Sequence, residues 1–580
     1  MTRRHWITLW LTSATLSLVI TAPFFRSGYL LFADAVSTPR SHLTDSALGL
    51  GVGAPRAVPQ DWFIALTSQV FDGGIIVKVL TTLALVLAGV GHGRLVRRVL
   101  PCAGSAGMLV GATVAVWNPY VAERLLQGHW SLLFGYAAVP WIFLCANDVR
   151  RHPDYIRLSV LAAWLAVAGL TPTGSMLALF TVLAALVIPV SITRPWRVAV
   201  KTGVVALAIW VVSALPWIMA AVLGSGSASA DPDSVAVFAA RAEPGLGTVG
   251  SLLGLGGIWN ADAVPASRTS AWAAVATILL LLVVAAGLPT LYRRRRNPLV
   301  SGAAGLAATS IVLVALASTD LGIAILEWAV DTVPGAGLLR DTQKWVALAV
   351  PLYALAAAAA AAACRRWVPR AFAAGVIAVL IIAPLPDLAW GVGSKVTVST
   401  YPSDWEQVAD LIPADEGDVL LLPTGMNRLY EFTGHVSLDP APRLLRADVL
   451  QTGELTVGDT TVGDTTVDRT ESRATAAESA VLAGASPADL AEFGVGWVVV
   501  EGRLPADAPA QQTLAAATEV FDGADLRVYR IENPTTVSAS AVDRTLVWIA
   551  HLLWIVLIAN GFVAIVLQWA HRSAHRKKVR

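Results

Sequence analysis

Three short stretches carry residue types that can move a proton and hold an anion. The first is Gly28-Tyr29-Leu30-Leu31-Phe32-Ala33-Asp34-Ala35-Val36-Ser37-Thr38-Pro39-Arg40, where Asp34 is a lone carboxylate in an apolar setting. Desolvation there raises a carboxyl pKa toward the range useful for a general base. The same spacing equally lets Asp34 cap a short interfacial helix or pair with Arg40. Asp45 and Asp61 follow nearby as weaker candidates, and Asp61 after Pro59 also suits a helix start.

The second stretch is Trp117-Asn118-Pro119-Tyr120-Val121-Ala122-Glu123-Arg124-Leu125-Leu126-Gln127-Gly128-His129-Trp130. A connector between two helices needs only a few residues, yet this one holds Tyr120, Glu123, Arg124, Gln127 and His129. Pro119 and Gly128 punctuate a short helix, on which Glu123 and Gln127 share a face. A local Glu123–Arg124 pair with aromatic belt residues is the alternative. The third stretch is Gly335-Ala336-Gly337-Leu338-Leu339-Arg340-Asp341-Thr342-Gln343-Lys344-Trp345. Arg340 and Lys344 stand four apart at a helix start, with Asp341 as cap or pairing partner. Two cations beside a helix N-terminus form an anion site, and an arginine fork suits phosphate. A snorkelling Lys344 and an Arg340–Asp341 pair would explain the same residues without a ligand.

The elements that must position these residues are membrane helices. Of the 580 residues, 56% are hydrophobic and 14% charged, against roughly 25% charged in soluble domains; mean hydropathy is +0.63. Apolar stretches suited to about 30 Å of hydrocarbon fall near 6–25, 75–91, 103–117, 130–146, 157–171, 174–190, 199–222, 271–291, 298–317, 345–363, 371–386 and 545–568. The expected fold is thus a polytopic α-helical membrane protein of about twelve spans. Only Thr171 to Gly174 separate the fifth and sixth.

Basic residues provide an independent check. With the N-terminus inside, Arg3/Arg4, Arg94/Arg97/Arg98, Arg150/Arg151, Arg194/Arg197, Arg293 to Arg296, Arg365/Arg366/Arg370 and the Arg572–Arg580 tail all fall on one side. Both termini are expected in the cytoplasm of a multi-pass plasma-membrane protein. The first segment reads as a retained anchor, because its apolar core is long and ends well before Ala33-Asp34-Ala35. All three stretches then face outward, the first within an outer loop over 26–74.

Residues 387–543, about 155 in number, are enough for a folded domain with its own core. They read as an extracytoplasmic α/β unit between helices eleven (ending at 386) and twelve (within 544–580). Val419–Leu422 and Trp497–Val500 have strand length; Trp405–Leu411 and Pro487–Phe493 read as helices, the latter capped by Ser486. Val457-Gly458-Asp459-Thr460-Thr461 recurs at 462–466 and reads as a mobile loop or hairpin.

Several functions are excluded or disfavoured. The net charge of +2 gives no footprint for nucleic acid. Cys102, Cys145 and Cys364 lack the spacing of a disulfide framework or a thiolate zinc site. No Walker loop, HExxH or G-x-S-x-G occurs.

The Gly-Tyr-Leu-Leu-x-x-Asp-Ala-Val-Ser-Thr-Pro stretch after helix one and the Asn-Pro-Tyr-Val-Ala-Glu-Arg-Leu-Leu-Gln-Gly-His-Trp loop resemble those of a group of actinobacterial integral membrane proteins. The resemblance covers most of the membrane part. By topology and the placing of these residues, the chain also resembles the GT-C class of glycosyltransferases. That class takes a sugar from a polyprenyl-phosphate donor at the outer face. The resemblance implies Asp34 as base on the acceptor hydroxyl, and Arg340, Lys344, Arg124 and His129 as holders of the leaving phosphate. It implies inversion at the anomeric carbon and an outer domain that helps hold an envelope glycan or glycolipid acceptor. In such an envelope the sugar would be arabinose or mannose on decaprenyl phosphate. Many GT-C enzymes have an acidic pair where Asp34 has only alanine neighbours, which favours a mechanism without metal or other cofactor. Two other readings remain: a twelve-helix transporter or lipid flippase, and a non-catalytic envelope-assembly protein. Against the transporter, the halves show no repeat, Gly91–Arg98 lacks an acidic residue, and the outer domain is hard to place.

Overall fold

The computed structural model of the protein describes residues 3–52, 57–188, 196–224, 231–452, 455–459, 463–467 and 472–578. In chain order the main helices begin with α1 (Arg3–Thr21), α2 (Gly73–Val99), α3 (Gly104–Val116), the short α4 (Pro119–Leu126) and α5 (Leu132–Arg151). Then come α6 (Tyr155–Ala168), α7 (Pro172–Val187), α8 (Trp196–Leu223), α9 (Trp272–Tyr292) and α10 (Pro298–Ala317). They are followed by α11 (Asp320–Thr332), α12 (Val350–Ala363), α13 (Arg370–Ile382) and α14 (Ala541–Lys578).

Among the described residues eight helices are long and apolar enough to cross a membrane. They are α1, α2, α5, α8, α9, α10, α14, and α12 together with the 3₁₀ run Thr342–Ala349 that leads into it. A ninth arises if α13 and the helical turn after it, bent by 78°, count as one span. All twelve expected segments lie in helices, but four are short: α3 and α13 have 13 residues, α6 has 14 and α7 has 16. At about 1.5 Å per residue they reach roughly 20–24 Å, less than a full hydrocarbon core. The break between α6 and α7 is an N-cap, with Thr171 accepting from the Gly174 amide and Pro172 in the first turn.

α5 and α12 form the centre of the bundle, with 89% and 83% of their apolar windows buried, whereas α8 and α14 stand at the rim with 28% each. Small residues let the central helices close up. A side chain at Gly287 on α9 would collide with the Ala356 carbonyl of α12.

The strands are β1 (Tyr29–Phe32), β2 (Ala35–Val36), β3 (Val398–Ser399), β4 (Asp418–Leu422), β5 (Asn427–Leu429), β6 (Val436–Leu438), β7 (Val449–Leu450), β8 (Leu455–Asp459), β9 (Gly463–Val467), β10 (Val495–Glu501), β11 (Thr518–Asp522) and β12 (Leu526–Arg530). Five of them form a sheet in the order β11-β12-β10-β4-β7, parallel across β10, β4 and β7. Its faces follow the two-residue period: Val419 and Leu421 pack with Trp405 and Val408, whereas Leu420 and Leu422 pack with Ala474, Leu490 and Leu514. Both expected strands and both expected helices are present, the helices as Ser403–Leu411 and Pro487–Glu492, the latter with a Ser486–Asp489 capping box. β8 and β9 pair antiparallel over the repeat; Thr460, Thr461 and Val462, like Arg194 and Arg580, lie outside the described residues.

The segment after α1 is woven into this layer instead of standing alone. β1 pairs with β2 on one edge and β3 on the other, and Leu31 and Val36 sit in the core on the Val419 face. Ala33 exchanges backbone hydrogen bonds with β6, its amide donating to the Val436 carbonyl (3.0 Å) and its carbonyl accepting from the Leu438 amide (2.9 Å).

Candidate functional site

Asp34 sits at the tip of a two-residue turn, because Phe32 pairs directly with Ala35. Ala33 takes φ of +46° there, a left-handed backbone that costs about 1–2 kcal/mol without glycine. The flanking strands and the β6 bonds hold it in that state. The segment is therefore a hairpin and not the interfacial helix that an Asp34 cap required.

The hairpin rests on the α4 loop. Asn118 caps α4 by accepting from the Val121 amide, and Pro119 occupies the first turn. Gly128 then turns the chain at φ +78°, where a Cβ would lie 2.3 Å from the Ala35 amide nitrogen and 2.6 Å from that of Asp34. Glycine is required at this contact for both reasons. The Asp34 amide donates to the Gln127 carbonyl (3.2 Å), and His129 Nε2 meets Asp34 Oδ2 at 2.9 Å. The Asp34 side chain is 39% exposed and that of His129 17%.

Behind His129 runs a ladder of alternating charge. Arg124 Nη1 donates to His129 Nδ1 (3.2 Å) and to Asp341 Oδ2 (3.1 Å). Lys344 Nζ meets the same Asp341 oxygen at 3.2 Å. Arg124 Nη2 donates to Gln343 Oε1, whose amide donates to Glu123 Oε2 (2.7 Å) and the Gly256 carbonyl (3.3 Å). A guanidinium donates only, so His129 Nδ1 is bare and Nε2 carries the hydrogen given to Asp34. Burial lowers the His129 pKa more than the neighbouring Asp34 raises it, which keeps the ring neutral. Burial by itself would raise Asp341, but Arg124 and Lys344 hold its carboxyl well below the usual carboxylate range.

A second buried knot braces the ladder. Glu123 Oε1 accepts from the Gly257 amide (3.0 Å), and Glu243 forms a fork with Arg268, both almost fully buried. Burial, and then the nearby Glu243, push Glu123 well above its ordinary value. Gly256 lies between these carboxylates; a Cβ there would reach 2.6 Å from Glu243 and 3.0 Å from Glu123.

Eight of the ten residues picked from the sequence join this assembly. Tyr120 stacks under Arg124 at 5.4 Å and its hydroxyl donates to the Lys344 carbonyl. Gln127 shares the Glu123 face as expected, and both meet the same loop, Gln127 accepting from Asn260 (2.8 Å). Two residues fall elsewhere. Arg40 is exposed and makes no ion pair among the described residues. Arg340 and Lys344 do not share a helix face, because two 3₁₀ pieces, Ala336–Leu339 and Thr342–Ala349, replace the expected α-helical start. Arg340 stacks on Phe238 at 4.6 Å and donates to Ser234, while Lys344 turns to Asp341. The local Glu123–Arg124 pair is also absent in favour of the Gln343 bridge. Asp45 and Asp61 serve as ties, to Arg544 (2.7 Å) and Arg443 (3.2 Å).

Sequence reasoning gave no role to Gln343, Glu243, Arg268 or Asn260, and took Gly128 only as the end of a short helix. Glu243, Asn260 and Arg268 lie between the apolar stretches near 199–222 and 271–291, where Asp231, Asp233, Arg241 and Asp262 also stand, so charge alone did not single them out. Among the described residues no three His, Cys, Asp or Glu side chains are grouped to hold a metal ion. Compared with known protein families and with curated proteins, the chain matches none.

Proposed function

We propose that this chain is a membrane glycosyltransferase that moves a sugar from a polyprenyl-phosphate donor to an envelope glycan or glycolipid. The observation that carries this reading is the half-exposed Asp34 carboxylate, oriented by a neutral histidine at the open end of a buried ladder that ends in Lys344. Such a carboxylate can take a proton, and the cations behind it can steady a departing phosphate.

The chemistry balances simply. Asp34 accepts the proton of the acceptor hydroxyl, the freed oxygen attacks the anomeric carbon, and the bond to the phosphate oxygen breaks with inversion. The phosphate is stable as it leaves, so one carboxylate suffices where glycoside hydrolases use two. Lys344, 21% exposed, would meet it, with Arg124 supporting from behind through Asp341, while Arg340 stands apart against Phe238.

In this reading the four short helices also cross, giving twelve spans with both termini in the cytoplasm. The five-stranded layer is then an extracytoplasmic α/β domain. The fall of every arginine cluster in alternate loops, all on one side, supports that arrangement. The test is release of polyprenyl phosphate by purified protein in nanodiscs, offered a panel of polyprenyl-phosphate sugars with envelope glycan acceptors. Release by wild type and none by Asp34→Asn is expected. Equal release by both would remove Asp34 from the chemistry, and a wild type inert to every donor would count against the activity.

A further inference from the structure

α11 lies between the apolar stretches near 298–317 and 345–363, and its surface is clearly divided. Turning about 100° per residue, it carries three separate stripes. Ile323, Leu326 and Val330 pack against the protein, beside Val235 and Ala336. Leu321, Ile325 and Trp328 lie on the opposite side and are 72%, 55% and 64% exposed. Asp320, Glu327 and Asp331 form a third stripe, roughly a quarter turn from the exposed apolar one, and none makes an ion pair among the described residues.

Continuity identifies what covers the exposed apolar stripe. α10 is one of the membrane-length helices, and Val312, Leu313 and Leu316 in its last turns are exposed. Ser318 and Thr319 alone separate it from α11, with Thr319 capping α11 by accepting from the Gly322 amide. Only Ser318, Thr319 and Asp320 therefore interrupt the exposed apolar surface between Leu316 of α10 and Leu321 of α11. A helix with protein behind it, an apolar stripe in front and carboxylates to the side fits the plane between hydrocarbon and water. Tryptophan is the aromatic residue favoured at that depth.

We propose that α11 lies in the membrane interface with Leu321, Ile325 and Trp328 among the acyl chains. It thereby holds the following segment, Arg340 to Lys344, at headgroup depth. That a lipid-borne phosphate then reaches Lys344 sideways from the bilayer rests on the glycosyltransferase reading; the seat of α11 does not.

The test reads depth, not activity, so its outcome is independent of that reading. In the full chain with Cys102, Cys145 and Cys364 replaced, a spin label is placed singly by Leu321→Cys, Ile325→Cys or Asp331→Cys. Each protein is set in phosphatidylcholine nanodiscs and its relaxation by oxygen and by a water-soluble nickel chelate is compared. Labels at 321 and 325 should favour oxygen several-fold over the label at 331. Preference for nickel at 321 and 325 would overturn the proposal, as would shielding from both reagents, which marks a protein partner or a second copy. If the cysteine-free chain does not fold, brominated-lipid quenching of wild type against Trp328→Phe answers the same question. Less quenching in the variant is expected, and equal quenching overturns the proposal.

Discussion

Arg124 decides what His129 can do. By occupying Nδ1 it leaves the ring one hydrogen, on Nε2, and that hydrogen goes to Asp34. The folded chain holds His129 below its ordinary pKa of 6.5, mainly through burial. The unfolded chain takes up the proton at the ordinary value, so it binds more protons as pH falls through that region, and stability falls with it. His129→Gln has no proton to gain. Thermal unfolding in detergent between pH 7 and 5 should show a flatter acid decline for the variant than for wild type; parallel curves would contradict the neutral, buried ring. Asp34, Glu123, Arg124 and His129 were legible as chemistry because charge is costly in so apolar a chain. Gln343 was not, since an uncharged amide gains its role only from the two charges that meet across it.

At the scale of elements, one turn aligns the site. Gly128 lets the α4 loop touch the backbone of the Asp34 hairpin, and any side chain there would push the two apart. Gly128→Ala should leave the bundle folded yet cut turnover by about a hundredfold, the cost of a misplacement near 1 Å. Wild-type turnover would show the contact to be incidental. Behind the hairpin, β6 is tied to the sheet by Arg428, which bonds Glu501 (2.5 Å) and Asp439 (3.1 Å). Burial, then Asp439, push Glu501 up to about 8 despite Arg428. The folded state therefore holds a proton that the unfolded state has lost, and stability falls as pH rises from the usual carboxylate range toward 8. Glu501→Gln should flatten that decline, measured by amide exchange in β10 and β12. The strands themselves were readable as apolar runs. The hairpin was not, because an alanine at positive φ gives no turn signal and is held there by β6, some four hundred residues away.

Across the whole molecule, the segment after α1, the sheet layer and α14 act as one piece. Arg544 at the start of α14 grips both oxygens of Asp45 at 2.7 Å, and the Asp45 and Ser46 amides donate to Asp448. The Arg544 side chain is 44% exposed, so Arg544→Ala should cost about 1 kcal/mol or less. The loss should shrink further in high salt, as read by thermal shift; an unchanged midpoint in low salt would show that the tie bears no load. Helix positions were legible because hydropathy dictates them. Their lengths were less so, since α3, α6, α7 and α13 end at caps and prolines that a hydropathy window averages away. The joining of loop and sheet had no local signal at all.

The central claim is that Asp34 is the base of a sugar transfer. It is tested most directly by glycosyl-linkage analysis of envelope glycans and glycolipids from a deletion strain, complemented with wild type or with Asp34→Asn. The account predicts that one linkage disappears on deletion and returns with wild type only, which would also name the sugar and acceptor. Persistence of every linkage, or equal rescue by Asp34→Asn, would contradict it.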